Sequence, residues 1–153
     1  MRLALYQPDI PQNLGANLRL AACLGVAVDL IEPCGFPLTD KALRRAAMDY
    51  GEKVEVCRHA GWTGFLDSRR SAAGRLVLFS TRGDQRLGDF AFQPEDCLLF
   101  GRESAGAPDE VHDASDAVVR IPLSPNARSL NVAMAAGMAL WEALRQTGQL
   151  PEA

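Results

Sequence analysis

Six short runs of this chain are apolar almost without interruption: RLALYQ (2–7), VAVDLIE (26–32), VEVCR (54–58), RLVLFST (75–81), CLLFG (97–101) and AVVRIPL (117–123). A strand with one face in water alternates apolar and polar residues, so near-continuous apolarity predicts burial on both faces. Helical patterns stand between the runs. NLGANLRLAACLG (13–25) has Asn13 as a plausible N-cap and Gly25 as a stop, and TDKALRRAAMDYGE (39–52) has Thr39 or Asp40 as its cap. WTGFLDSRRSA (62–72) is the third. Strand and helix in regular succession predict an α/β domain, a parallel sheet with helices on its faces. No repeat, low-complexity tract or linker divides residues 1–153, which read as one domain large enough to form a core without metal or disulfide support.

The composition narrows the function classes. It is 48% hydrophobic and 23% charged, and no run approaches the ~20 apolar residues of a membrane span. The opening MRLALYQPDIP lacks the apolar stretch and cleavage site of a signal peptide, so the expected location is the cytoplasm, away from membranes. Cys23, Cys34, Cys57 and Cys97 form no CxxC pair, which argues against a metal and for buried thiols in a reducing compartment. The net charge of -3 argues against a broad electrostatic footprint on nucleic acid and leaves room for a local one. Apart from Lys41 and Lys53 every cation is arginine, which suits recognition of phosphate or carboxylate and also fits the codon bias of a GC-rich genome.

In a parallel sheet the functional loops gather at the carboxyl ends of the strands. Those with chemistry are QPDIPQNLGANLR, FGRESAGAP and IPLSPNARSLN. GRESAG has the glycine spacing of a phosphate-binding loop, but Ala107 and Pro108 stand where lysine and a hydroxyl residue are required. Ser104 is flanked by Glu103 and Ala105, so it is no nucleophile elbow. His59 and His112 lie outside all three loops, and the loop after the first strand has Pro8, Pro11 and one glycine where a dinucleotide fingerprint needs several. What remains is small polar groups, one carboxylate, arginines and glycine-opened backbone, a set for binding and positioning more than for covalent catalysis.

NLGANLR, LLFGRESAGAP and IPLSPNARSLNVAMAAGMALWEALRQ together resemble the three signature motifs of the SPOUT-class RNA ribose 2′-O-methyltransferases. The short chain, with LYQPDIPQNLG and IEPCGFPL, is similar to the single-domain TrmL- and YibK-like branch that methylates the wobble ribose of tRNA, over roughly Leu3 to Gln146. The resemblance implies a parallel α/β fold whose C-terminal segment threads a deep trefoil knot, S-adenosylmethionine as donor with S-adenosylhomocysteine as product, no metal, and a homodimer acting on the tRNA anticodon stem-loop. It also accounts for the last helix. Val132, Ala133, Met134, Ala136, Met138, Leu140, Trp141 and Leu144 make it apolar on nearly every side, so it needs cover on nearly every side, which a knot and a second subunit supply.

Carried over by motif position, the cofactor pocket comprises Phe79, Thr81, Gly101, Ile121, Leu123, Ser129 and Leu130. Asn13, Arg19, Glu103, Ser129 and Asn131 match the catalytic and substrate-placing set. A guanidinium keeps its proton at physiological pH, so Arg19 is expected to grip phosphate and stabilise developing negative charge instead of acting as a base. Arg19, Arg44, Arg45, Arg82, Arg86, Arg102 and Arg128 are the RNA-contact candidates, each also readable as a solvated surface charge. A ribose elsewhere in tRNA or ribosomal RNA, and a non-catalytic RNA-binding α/β dimer, stay open on the sequence.

Overall fold

The computed structural model describes residues 1–46 and 54–152. The elements run β1 (Arg2–Tyr6), α1 (Pro11–Leu24), β2 (Ala27–Ile31), α2 (Asp40–Ala46), β3 (Val56–His59), α3 (Trp62–Arg70), β4 (Leu76–Phe79), β5 (Gln85–Arg86), β6 (Cys97–Phe100), α4 (Asp109–Asp113), β7 (Ala117–Arg120) and α5 (Val132–Thr147), with a 3-10 turn at Leu87–Asp89. They form one seven-stranded sheet in the order β3-β2-β1-β6-β4-β7-β5, parallel at every pairing. The expected α/β class holds. Positions 47–52 of the second helical pattern lie outside the described residues.

Four of the near-continuous apolar runs are strands buried on both faces, whereas β3 at the sheet edge and β7 beside the short β5 are mostly half-buried, so the expectation fails for VEVCR and AVVRIPL. In β1, β4 and β6 successive residues point to opposite sides and both sides are covered. On one side Leu3, Val77 and Leu98 meet Leu14 and Leu18 of α1 and Leu140 and Leu144 of α5. On the other, Ala4, Leu78 and Leu99 meet Phe65 of α3 and Val111 of α4. Two elements were not anticipated: β5 has two exposed polar residues and α4 only five residues, too short for either periodicity to register.

Helix ends follow local chemistry, with one correction. Asn13 is not the N-cap of α1; the helix starts at Pro11 after Ile10, because proline's fixed φ suits a first turn and its missing N–H is no loss there. Gly25 ends α1 in the left-handed region at φ 67°, as expected. Thr39 caps α2, its Oγ1 accepting from the Ala42 amide at 3.0 Å. Asn131 caps α5, its Oδ1 accepting from Ala133 and Met134 at 2.9 and 3.2 Å.

Helix α5 buries Ala136, Ala139, Leu140, Ala143 and Leu144 but leaves Met134, Met138 and Trp141 63%, 47% and 55% exposed. A single chain thus covers only one side of it. Of the thiols, Cys97 is buried, Cys34 and Cys57 are half-buried and Cys23 is exposed on α1, so the expectation of buried thiols fails for Cys23.

The amino edge of the sheet is tied by ion pairs. Arg75 donates from Nε and Nη2 to the carboxylate of Asp96 at 2.9 and 2.7 Å, and the Gln93 amide adds a bond of 2.8 Å. Arg75 also lies 5.0 Å from the centre of the Phe90 ring. Asp29 takes Arg2 at 2.7 Å and the His59 ring at 2.8 Å, while the same ring packs edge-on to Phe65. His59 is therefore a satisfied structural histidine.

Candidate active site at the carboxyl edge

The chain turns sharply as it leaves β1. Gln7 takes φ 44°, a left-handed conformation that costs a non-glycine residue energy, and its amide bonds the Ile31 carbonyl at 2.8 Å. This aims the next residues across the sheet edge at the loop after β6. Asp9 and Glu103 then hold one another reciprocally: the Asp9 amide donates to Glu103 Oε2 at 2.9 Å and the Glu103 amide to Asp9 Oδ1 at 3.2 Å. Ser104 Oγ also donates to Asp9, and Arg102 Nε lies 3.6 Å from it. The segment after β2 leans in at Gly35, whose amide bonds the Pro8 carbonyl at 3.0 Å and where a Cβ would stand 2.5 Å from Asp9 Cβ.

Titration follows this geometry. The hydrogen bond with Glu103 and those from Ser104, together with the Arg102 charge, hold the Asp9 carboxyl down at about 2. Burial first, and then Asp9, push Glu103 above its ordinary value. Glu103 Oε1 and Arg102 Nε are buried without a hydrogen-bond partner among the described residues. Unsatisfied buried polar atoms are uncommon in a native fold, and a cluster of them marks a place for a ligand.

A cavity of about 550 Å³ opens at this point. One wall is apolar, with Phe79 and Phe100 stacked at 4.9 Å and Ile121, Leu123 and Leu130 around them. Gly101 forms the floor: a Cβ there would stand 2.5 Å from the Ala107 nitrogen, so only glycine admits the backbone approach that shapes the loop. The rim is polar, with Asn13, Thr81, Glu103, Ser129 and Asn131. Asn131 Nδ2 donates to Asn13 Oδ1 at 2.8 Å, joining the first and third loops, while its Oδ1 caps α5. His112 sits behind Ser80 at 3.4 Å, its pKa lowered by burial and by Arg82.

All seven residues expected to hold a cofactor line this cavity, as do Asn13, Glu103, Ser129 and Asn131. Arg19 does not; it is exposed on α1. Among the expected RNA contacts, Arg102 lines the cavity, Arg86 and Arg128 line a neighbouring one, Arg82 pairs with Asp109 at 2.8 Å, and Arg44 and Arg45 stand exposed at the end of α2. Asp9 was missed. A lone carboxylate between two prolines in PDIP was its available signal.

The chain matches the SpoU rRNA Methylase family over residues 1–141. It is 57% identical to a tRNA (cytidine(34)-2′-O)-methyltransferase of Beijerinckia indica, covering 97% of this chain and 92% of that protein. A protein of the same name from Ancylobacter novellus is 52% identical, covering 97% and 94%. A solved structure concerned with the 2-OH methylation of C/U34 on tRNA superposes with a TM-score of 0.86 at 43% identity, covering 95% of this chain and 94% of that one. The SpoU methyltransferase AviRb from Streptomyces viridochromogenes, in complex with the cofactor AdoMet, gives 0.82 at 28% identity, covering 95% and 60%. By its matched length and its close relatives alike, the chain belongs to the SpoU methylase family.

Proposed function

We propose that this protein methylates the 2′-hydroxyl of the wobble ribose of tRNA with S-adenosylmethionine as donor. One observation carries the reading: an apolar slot and a polar rim that includes the Glu103 carboxylate share one cavity at the edge of a SpoU-type sheet. The donor fits these residues. Phe79, Ile121, Leu123 and Leu130 offer an apolar bed for adenine, and the backbone around Gly101 offers hydrogen bonds at close approach. When bound, the donor supplies a methyl group on a positively charged sulfur, open to attack by an oxygen.

The chain must hold the ribose hydroxyl in line and receive its proton. Asn13, Ser129 and Asn131 orient the hydroxyl, and the bond between the two asparagines fixes their spacing. Glu103, the carboxylate that lines the cavity, receives the proton, and its raised pKa makes it a better acceptor than an ordinary carboxylate. Asp9 positions Glu103. Arg19 acts from the partner subunit of a homodimer formed by the outward faces of α1 and α5, which carry Met134, Met138 and Trp141. The return of α5 against α1 and β6, after β7 has paired beyond β4, supports the threading that the family resemblance implies. The anticodon stem-loop of tRNA as partner and the cytoplasm as location belong to the same reading. No helix among the described residues is long and apolar enough to cross a membrane.

The test incubates purified protein with labelled S-adenosylmethionine and unmodified total tRNA and maps the label by alkali-resistant linkages. Label in the ribose of nucleotide 34 is expected; label in a base, or none, overturns the reading. Trp141→Glu should sediment as a monomer with little activity, and a fully active monomer removes the dimer from the proposal.

A further inference from the structure

A second hollow, of about 320 Å³, opens beside the first and shares Thr81, Ile121 and Leu123 with it. The rest of its wall differs in charge. Arg86, Arg120 and Arg128 line it, and no carboxylate does. Arg120 is held rigidly, its Nη1 donating to the Gly83 and Asp84 carbonyls at 2.6 and 3.1 Å. Both acceptors are neutral, so the hydrogen bonds fix the guanidinium without cancelling its charge. Gly83 makes this possible: a Cβ there would stand 2.6 Å from the Arg120 nitrogen, so the 82–84 turn lies directly against β7.

Arg86 and Arg128 are exposed, and neither has an ion-pair partner among the described residues. Several arginines elsewhere are matched by carboxylates, with Asp29 on Arg2, Glu32 and Asp40 on Arg58, and Asp96 on Arg75. A protein of net charge -3 thus gathers three guanidiniums into one hollow without neutralising them there. Like charges held together repel unless an anion joins them. The forked geometry of arginine suits a phosphate best.

We infer that this hollow is a phosphodiester subsite, holding a backbone phosphate of the RNA whose ribose is presented to the first cavity. The inference rests on the proposed action on a tRNA ribose. The segment Ile121 to Leu123 is the common wall, so a sugar on one side and its neighbouring phosphate on the other are set in register by one stretch of backbone. Such a contact places the strand without reading a base.

The probe is an anticodon stem-loop RNA, unmodified or with a single uncharged methylphosphonate at either phosphate flanking nucleotide 34. Arg86→Gln and Arg128→Gln should each weaken binding and reduce the slope of log affinity against log salt by about 0.7, the share of one phosphate contact on a single strand. Both should raise KM with kcat nearly unchanged and leave affinity for S-adenosylmethionine alone. A methylphosphonate at the contacted phosphate should weaken binding to the wild type and cost the double variant nothing further. Wild-type affinity and salt slope in the double variant, or an undiminished methylphosphonate penalty, overturns the subsite. The binding measurements need no turnover, so a wild type that fails to methylate the wobble ribose refutes the proposed function while these data still decide the subsite.

Discussion

At the amino edge of the sheet Asp96 is fully buried and well bonded, held twice by Arg75 and once by the Gln93 amide. At the carboxyl edge Glu103 and Arg102 are also partly enclosed, yet each keeps a buried polar atom with no partner among the described residues. Both clusters pair carboxylate with guanidinium across sequence-distant strands. The first is complete within the chain, so it can only hold; the second is incomplete, so it can still bind. Burial of charge is therefore no guide to function until the unmade hydrogen bonds are counted.

That contrast predicts which changes harm stability and which harm turnover. Arg75→Met leaves Asp96 buried and uncompensated, and should cost about 3 kcal/mol in denaturant unfolding, with normal turnover per folded molecule. Asp9→Ala should lower kcat about 100-fold by freeing Glu103, with a much smaller change in unfolding midpoint. If it instead destabilised the fold as much as Arg75→Met, the two edges would not differ in kind. Gly35→Ala should produce a weaker version of the Asp9 defect, since its methyl presses on Asp9 from the segment after β2, and kinetics at saturating tRNA would show it.

The pH dependence separates the two carboxylates at the site. Asp9 is lowered from 3.8 to about 2, so its stabilisation is present above pH 3.8 and disappears as pH falls toward 2. Glu103 is raised from 4.5, so its contribution is present below pH 4.5 and is lost as pH rises through the higher folded value. Glu103→Gln should abolish the small loss of stability above pH 4.5, and Asp9→Asn the loss below 3.8, in unfolding curves taken from pH 2 to 6.

Much of the fold was legible because β1, β2, β4 and β6 are buried on both faces, and that leaves a continuous apolar signature. The two-residue β5 and five-residue α4 were not, since neither is long enough to show a period. At the site, residues carried by the three motifs fell into one cavity. Asp9 was passed over because its importance lies in a partner 94 positions away, and sequence spacing does not reveal such a contact. Asn13 illustrates a subtler limit. As a small polar residue before an apolar stretch it looks like a cap, but Pro11 starts the helix earlier and turns the amide toward Asn131 instead.

The strand order has a consequence for birth on the ribosome. Strand β1 lies between β2 and β6, and the Met1 ammonium group donates to the Pro94 carbonyl at 2.6 Å, 93 positions along the chain. Strand β1 therefore waits, with one flank open, until β6 has been translated, and α5, which roofs that same strand layer, follows later still. Nascent chains of this topology have to shelter a sticky centre for most of their synthesis, and truncated ones should be prime clients of the chaperones at the exit tunnel.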